Sequence, residues 1–361
     1  MRLHLLGLPH TVTRSEYSHC AFTGKVQKFA PMMRPLGYEV VHYGVAGAEA
    51  GASAYVDVMS RETQVALMGH ANDDPQKFHG DDADTGNPLY TEYNRLLRPL
   101  LEANVEPGDI VCHPFGHAHA SAAVSHRGIN IETGIGYPDT CFPFRVFESY
   151  AWMHWHLGKH SRAGNSYEWV VPNYFVADDW PVTLDPEGYV LYFGRLTPIK
   201  GCHVVSEIAK RMPNTRFVMC GQGDPTPFLT SDNIEYRPPV TGAARAALLG
   251  NARVVLMPTQ YVEPFGGVSV ESMLTGTPVL ASPFGAFPEI LEPGKTGFLP
   301  RVLPEWVRGI ELASRLDRRY IANSARERYS LEAVGPMYDA VFRQLHGLYN
   351  GQDWYSYPGR W

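Results

Sequence analysis

Residues 254–282 read VVLMPTQYVEPFGGVSVESMLTGTPVLAS. An apolar run, a loop, a segment with helical spacing, a Gly-Thr-Pro stop and a second apolar run follow one another. This order is strand, loop, helix, strand, with glycine closing the helix and proline just beyond it. Within it lies EPFGGVSVE (263–271), two carboxylates eight positions apart around an aromatic residue and two adjacent glycines. Ordered glycine marks a positive φ or a backbone that a partner approaches closely. The second meaning is expected here, because Gly266 and Gly267 open the helix and its first N–H groups are available to an anion or to sugar hydroxyls. Glu271, one turn into the helix, can accept both hydroxyls of a ribose diol. The plainer alternatives are a helix-dipole partner for Glu271 and a loop charge for Glu263.

The same alternation extends in both directions. RLHLLGL (2–8), YEVVHYG (38–44), GDIVCHP (108–114), RGINIETG (127–134) and SYEWVVPN (166–173) read as strands, and GKVQKFAPMMRPLG (24–37) as a helix ending at Gly37. A second series has strands at 188–196, 215–223, 233–240, 252–259 and 277–283, with helices at 201–212, 241–251 and 267–276 between them. Alternation of this kind implies parallel sheets covered by helices. VPNYFVADDWPVTLDPEG (171–188) reads as an interdomain linker. GVAGAEAGASA (44–54) and HANDDPQKFHGDDADTGNP (70–88) read as loops; the triplet Asp82-Ala83-Asp84 in the latter reads as solvated acid.

A chain of 361 residues is long for one core, and two domains are expected. With 31 Lys+Arg against 37 Asp+Glu the formal charge is −6, which disfavours general affinity for nucleic acid or anionic membrane. Cysteines 20, 112, 141, 202 and 220 form no CxxC pair and lie in or beside apolar segments, as buried reduced thiols do. No apolar run approaches the roughly 20 residues of a membrane span. The expectation is a soluble protein of the cytoplasm, or of a host's cytoplasm if viral.

Chemistry concentrates at strand ends. In YFGRLTPIKG (192–201) Arg195 and Lys200 flank a strand-to-helix turn, a setting that suits a diphosphate; two solvated charges are the alternative. CGQGDP (220–225) is a further glycine loop, and PGDIVCHPFGHAHASA (107–122) sets His113, His117 and His119 at a strand end.

Taken together, FGRL with its following Lys, EPFGGVSVE, GTPVLAS and GAFPEILEPGKTGFL (285–299) resemble the donor-binding half of retaining nucleotide-sugar glycosyltransferases of family 4. The resemblance covers about 188–345, and YSLEAVGPMYDAVFRQLHGLY (329–349) resembles that family's last helix. It implies the α/β GT-B architecture, two Rossmann-like domains facing a cleft. Residues 1–172 would be the acceptor-binding domain and 173–334 the donor-binding domain. Residues 335–361 would be a helix and tail packing back on the first domain. TGKVQKF resembles the family's glycine-loop helix, with Thr23-Gly24 where two glycines are usual.

By the same resemblance the activity is a retaining, metal-independent hexosyl transfer from a UDP- or GDP-sugar, with no cofactor. Arg195, Lys200, Glu263 and His117 would carry catalysis. Glu271, Phe265, Gly266, Gly267, Val268, Thr23, Gly24 and Gly221 would bind the donor. His113, His119, Tyr137 and Asp139 would line the acceptor side. The acceptor is open among small molecules, glycans and a hydroxymethylated DNA base. Net charge disfavours DNA, although Arg14, Lys25, Lys28 and Arg34 cluster near the first helix. A nucleotide-sugar 2-epimerase and an inactive sugar-nucleotide binder are the competing readings.

Overall fold

The structure, a computed structural model, describes residues 1–17, 20–71 and 84–351. The chain divides into two compact units. One comprises Met1–Glu148, His156–Tyr174 and the chain from Leu331 onward; the other comprises Ser149–Trp155 and Phe175–Ser330.

The first unit is built on β1 (Arg2–Leu6), β2 (Glu39–Val45), β3 (Ala54–Met59), β4 (Ile110–His113), β5 (Ile129–Ile135), β6 (Phe144–Phe147) and β7 (Glu168–Val170). All pair in parallel, in the order β3-β2-β1-β4-β5-β6-β7. In β1, Leu3 faces Val40 on one side and Ile110 on the other. The apolar runs stay buried because helices cover the sheet: α1 (Ala21–Met33), α2 (Arg61–Met68), α3 (Pro88–Asn104) and α4 (Tyr150–Lys159). α1 is followed by a 3₁₀ turn that stops at Gly37, where φ is 89°.

The second unit repeats the plan with β8 (Tyr189–Phe193), β9 (Phe217–Cys220), β10 (Ile234–Arg237), β11 (Ala252–Met257), β12 (Val279–Ala281) and β13 (Gly297–Phe298). Its parallel order is β10-β9-β8-β11-β12-β13. The helices are α5 (Cys202–Arg211), α6 (Gly242–Gly250), α7 (Gly267–Leu274), α8 (Phe287–Ile290), α9 (Leu303–Ala313) and α10 (Arg318–Tyr329). Each sheet reverses strand order beside its first strand. Ligands of doubly wound sheets bind at such points, outside the carboxyl ends of the strands.

The last described helix, α11 (Leu331–Tyr349), returns to the first unit. Its Tyr338, Phe342 and Leu345 join the core that holds Phe29 and Met33 of α1, and Tyr38 donates to Asp339 at 2.8 Å. Another excursion has no sequence signal. Ser149–Trp155, with the first half of α4, groups with the second unit, where Glu289 accepts from the N–H groups of Tyr150 (2.9 Å) and Ala151 (2.7 Å).

The sequence pattern does not mark β3, α2, α3, β6, α4, α9 or α10, and the 44–54 loop runs directly into β3. Asp82 and Ala83 of the acidic triplet lie outside the described residues. Among the described residues no helix is long and apolar enough to cross a membrane.

Candidate active site

In the second unit, two loops leave the adjacent strands β8 and β11 at their carboxyl ends. After β8 the chain passes Gly194 and the exposed Arg195, then makes a 3₁₀ turn at Pro198–Lys200 before α5. After β11 it runs from Pro258 to Gly266 before α7. The loops are tied together by Gln260 N–H donating to Ile199 O at 2.8 Å. That tie sets Lys200 Nζ 2.8 Å from Glu263 Oε2, and the Tyr261 hydroxyl donates to the same oxygen at 2.7 Å. Lys200 also bonds Tyr261. Burial, and then the Glu263 carboxylate, push the Tyr261 phenol well above its usual value, so it remains a donor.

The other carboxylate of the pair is held from a different element. Arg245 Nη2 of α6 bonds Glu271 Oε2, and the guanidinium lies 4.7 Å from the centre of the Phe193 ring. Neither Tyr261 nor Arg245 was singled out from the sequence. Arg245 did leave a signal, as the one charged residue in GAARAALLG (242–250).

The glycines have a mixed origin. Gly266 caps α7 with φ at 80°, and a Cβ there would lie 2.7 Å from the buried Phe287 ring and 3.3 Å from Glu263 Cγ. The absent side chain would point into the protein, so the requirement at Gly266 is backbone conformation and packing, not approach of a ligand. Gly221 is similar: a Cβ would stand 1.7 Å from Gly194 O, because the β8 and β9 exits touch. At Gly267 a Cβ would meet Phe175 at an ordinary 3.7 Å. Phe265 is likewise a core residue, stacked on Phe175 and edge-on to Tyr329. Gly267 and Val268 occupy the first turn of α7, where N–H groups lack intrahelical acceptors.

In the first unit the three histidines separate by burial. His113 is buried, with Nε2 2.7 Å from Asn130 Oδ1, and burial drives its pKa down to about 3. His119 is buried, with Nε2 2.9 Å from Gly7 O and Nδ1 3.0 Å from Asn94 Oδ1, and is held near 4 by burial. Both are neutral core residues and do not line a surface. His117 is half-buried, and its Nδ1 lies 3.3 Å from Asp139 O. Tyr137 is also buried, its hydroxyl donating to Glu132 Oε2 at 2.7 Å, so it organises its loop and does not face an acceptor. Asp139 is exposed but paired with Lys159 at 2.9 Å.

Thr23 and Gly24 also depart from expectation. Thr23 is fully buried with its hydroxyl 2.6 Å from that of Thr11, and Gly24 N–H is spent on Cys20 O inside α1. Both residues lie in the first turn of α1, and neither presents a free polar group for a donor. The basic residues nearby are also engaged. Lys25 is buried against Glu148 and donates to Gly134 O at 2.8 Å. Arg14 is 3.4 Å from Glu49, and Arg34 donates to Gly51 O.

All five cysteines are free thiols, but Cys141 is exposed and Cys20 half-buried, contrary to the expectation of burial. Cys20 Sγ lies 3.4 Å from His10 Nε2, and His10 Nδ1 lies 2.9 Å from the Tyr90 hydroxyl. Burial alone would raise the Cys20 thiol; the hydrogen bond and charge of His10, aided by Thr23, bring it down to about 6. Among the described residues no three His, Cys, Asp or Glu side chains converge as a metal site.

Residues 187–310 match the profile of the glycosyl transferases group 1. The phosphatidyl-myo-inositol mannosyltransferase of Mycobacterium tuberculosis is 28% identical over 204 residues, 49% of this chain and 54% of that protein. The D-inositol 3-phosphate glycosyltransferase of Mycobacterium bovis is 27% identical over 188 residues, 46% of this chain and 39% of that protein. The chain thus spans about half the length of the curated relatives it matches. AviGT4, a glycosyltransferase involved in avilamycin A biosynthesis, superposes with a TM-score of 0.71 at 20% identity, over 96% of this chain and 98% of the other. Anabaena HepE, solved with UDP-glucose, gives 0.64 at 15% identity over 95% of this chain and 100% of the other. The fold is GT-B, and the chain resembles glycosyltransferase family 4. Arg195, Lys200, Glu263 and Glu271 all lie within the matched 187–310 segment of this GT-B chain.

Two measurements check this description. Gly266→Ala should lower the melting temperature, since a left-handed backbone alone costs a side-chain-bearing residue about 1–2 kcal/mol and Phe287 adds a collision. A variant that melts like the parent would return Gly266 to a ligand-facing role. For Cys20, a pKa below the ordinary thiol value means thiolate at neutral pH. Its alkylation by iodoacetamide should therefore reach half its plateau rate near pH 6, while Cys141, whose thiol burial and Glu132 raise, stays slow at pH 7. A Cys20 profile centred near the ordinary value of about 8.5 would contradict the His10 pairing.

Proposed function

We propose that the protein is a retaining glycosyltransferase that moves a sugar from a nucleoside-diphosphate sugar to a hydroxyl acceptor. The observation that carries the reading is the meeting of Lys200, Glu263 and Tyr261 beside the exposed Arg195, at the carboxyl ends of β8 and β11. A UDP- or GDP-sugar is the donor class. The UDP-glucose complex of Anabaena HepE, which has the same fold, supports a donor of that kind.

As the bond from the anomeric carbon to the diphosphate breaks, negative charge grows on the departing phosphate. Lys200 and Arg195 stabilise that charge, the task a metal ion performs elsewhere, so this reading needs no metal and no cofactor. The Lys200 ammonium must then divide its bonds between Glu263 and phosphate, which holds it in place before and during the step. Glu263 accepts from hydroxyls of the transferred sugar, Glu271 from the ribose, and the N–H groups of Gly267 and Val268 face the donor. The acceptor oxygen attacks from the leaving group's face and its proton passes to the phosphate, so no enzyme carboxylate acts as nucleophile.

The test is a thermal-shift screen of nucleoside diphosphates, followed by turnover of the matching sugar donor over an acceptor panel. Lys200→Ala and Arg195→Ala should each lower turnover by roughly 100-fold or more with folding intact; parental rates in both would remove the diphosphate assignment. The product should keep the donor's α configuration by NMR, and a β linkage from an α donor would refute retention.

A further inference from the structure

The proposed reaction leaves one charged side chain of this region without a task. Arg245 bonds Glu271 Oε2 while both side chains are largely withdrawn from solvent, at 21% and 12% exposure. Its guanidinium lies 4.7 Å from the centre of the Phe193 ring and 6.0 Å from that of Trp180. Arg245 Nε is buried and has no acceptor among the described residues. A bond made only to tie α6 to α7 would not need to strand a buried donor, and stranded donors in ordered structure call for an explanation. On the other partner, no donor among the described residues reaches Glu271 Oε1. The guanidinium therefore fixes the carboxylate through one oxygen and leaves the other with both lone pairs available.

A glutamate has three rotatable side-chain bonds, and ordering it at the moment of binding would cost affinity. A planar cation seated on an aromatic ring removes that cost in advance.

We propose that Arg245 is a positioning residue for nucleotide recognition, holding Glu271 so that Oε1 receives the ribose diol and the site discriminates ribonucleotides from 2′-deoxyribonucleotides. The proposal rests on the assignment of Glu271 to the ribose.

The experiment is calorimetric titration of UDP, GDP and their 2′-deoxy counterparts into the parent chain, Glu271→Ala, Arg245→Ala and Arg245→Lys, with a thermal melt of each. Arg245→Met, which keeps an apolar stem on Phe193, substitutes if Arg245→Ala does not fold. The quantity read is the ratio of deoxy to ribo dissociation constants within each variant. The parent should favour the ribonucleotide by roughly tenfold, the value of a hydrogen bond to a charged group. Glu271→Ala and Arg245→Ala should both bring the ratio close to one, and Arg245→Lys should restore part of it.

If Glu271→Ala loses the preference while Arg245→Ala keeps it, with both nucleotides weakened alike, the pair is merely structural and this inference falls alone. A tighter ribonucleotide complex in Arg245→Ala would make Arg245 a competitor for Glu271 and overturn it as well. If neither UDP nor GDP binds the parent, or Glu271→Ala leaves the ratio unchanged, the ribose assignment itself fails.

Discussion

Parallel strands can be joined only by crossovers, and a right-handed crossover carries the chain over a sheet face and back to the same starting edge. Both sheets of this protein are parallel among their described strands, so every loop that follows a strand emerges at one end of its sheet. In the second unit this constraint sets the loops after β8, β9 and β11 side by side. It makes Gly221 abut Gly194, Gln260 bond Ile199, and Lys200 meet Glu263 across 63 residues of sequence. No local propensity brings those groups together; the strand order does. The same order places Arg245 of α6 beside Glu271 of α7.

Each carboxylate of the 263–271 stretch is thus neutralised by a cation from another element: Lys200 for Glu263 and Arg245 for Glu271. Charges this far withdrawn from water carry a desolvation penalty that only a partner offsets. The partner also fixes geometry. A ligand that enters such a place meets acceptors already aimed and donors already counted, and exchanges one set of charge-assisted bonds for another. With polar groups pre-set in this way, little ordering remains to be done at the moment of binding.

What the sequence made legible follows from how local each signal is. The runs at 252–259 and 277–283 carry short apolar stretches, VVLM and VLA, beside Pro258 and Pro278, and both became inner strands, β11 and β12. β3 escaped notice because it is an edge strand whose residues Ala54–Asp57 are largely exposed, so AYVDVM carries no clear alternation. α3 holds Pro88 at its first turn and Pro99 inside, which disguises a 17-residue helix. At the site, the carboxylate spacing was readable because eight residues span one loop and one turn. The fates of His113 and His119 were not, since CHPFGHAH looks the same whether a ring points to solvent or to Asn130. Burial is a property of the packed sheet and has no period in a single strand end.

The contrast between the units is itself informative about the chemistry. In the second unit the polar groups at strand ends are partly exposed and paired across loops. In the first, the corresponding groups turn inward. Thr23 bonds Thr11, Lys25 bonds Glu148, and Glu132 accepts from Tyr137 and from the N–H groups of Cys141 and Phe142, both at 2.8 Å. Glu132 is buried, and burial raises its pKa against the pull of those bonds. A buried carboxylate surrounded by three donors fixes the loop 136–142, and that loop in turn meets His117 through Asp139 O. The buried network therefore acts as a foundation, and the residues it displays, His117 and Asp139 among them, are set by an acid that never reaches solvent. Loop shape on this side is fixed from beneath, so a substitution at Glu132 would alter the surface without touching it.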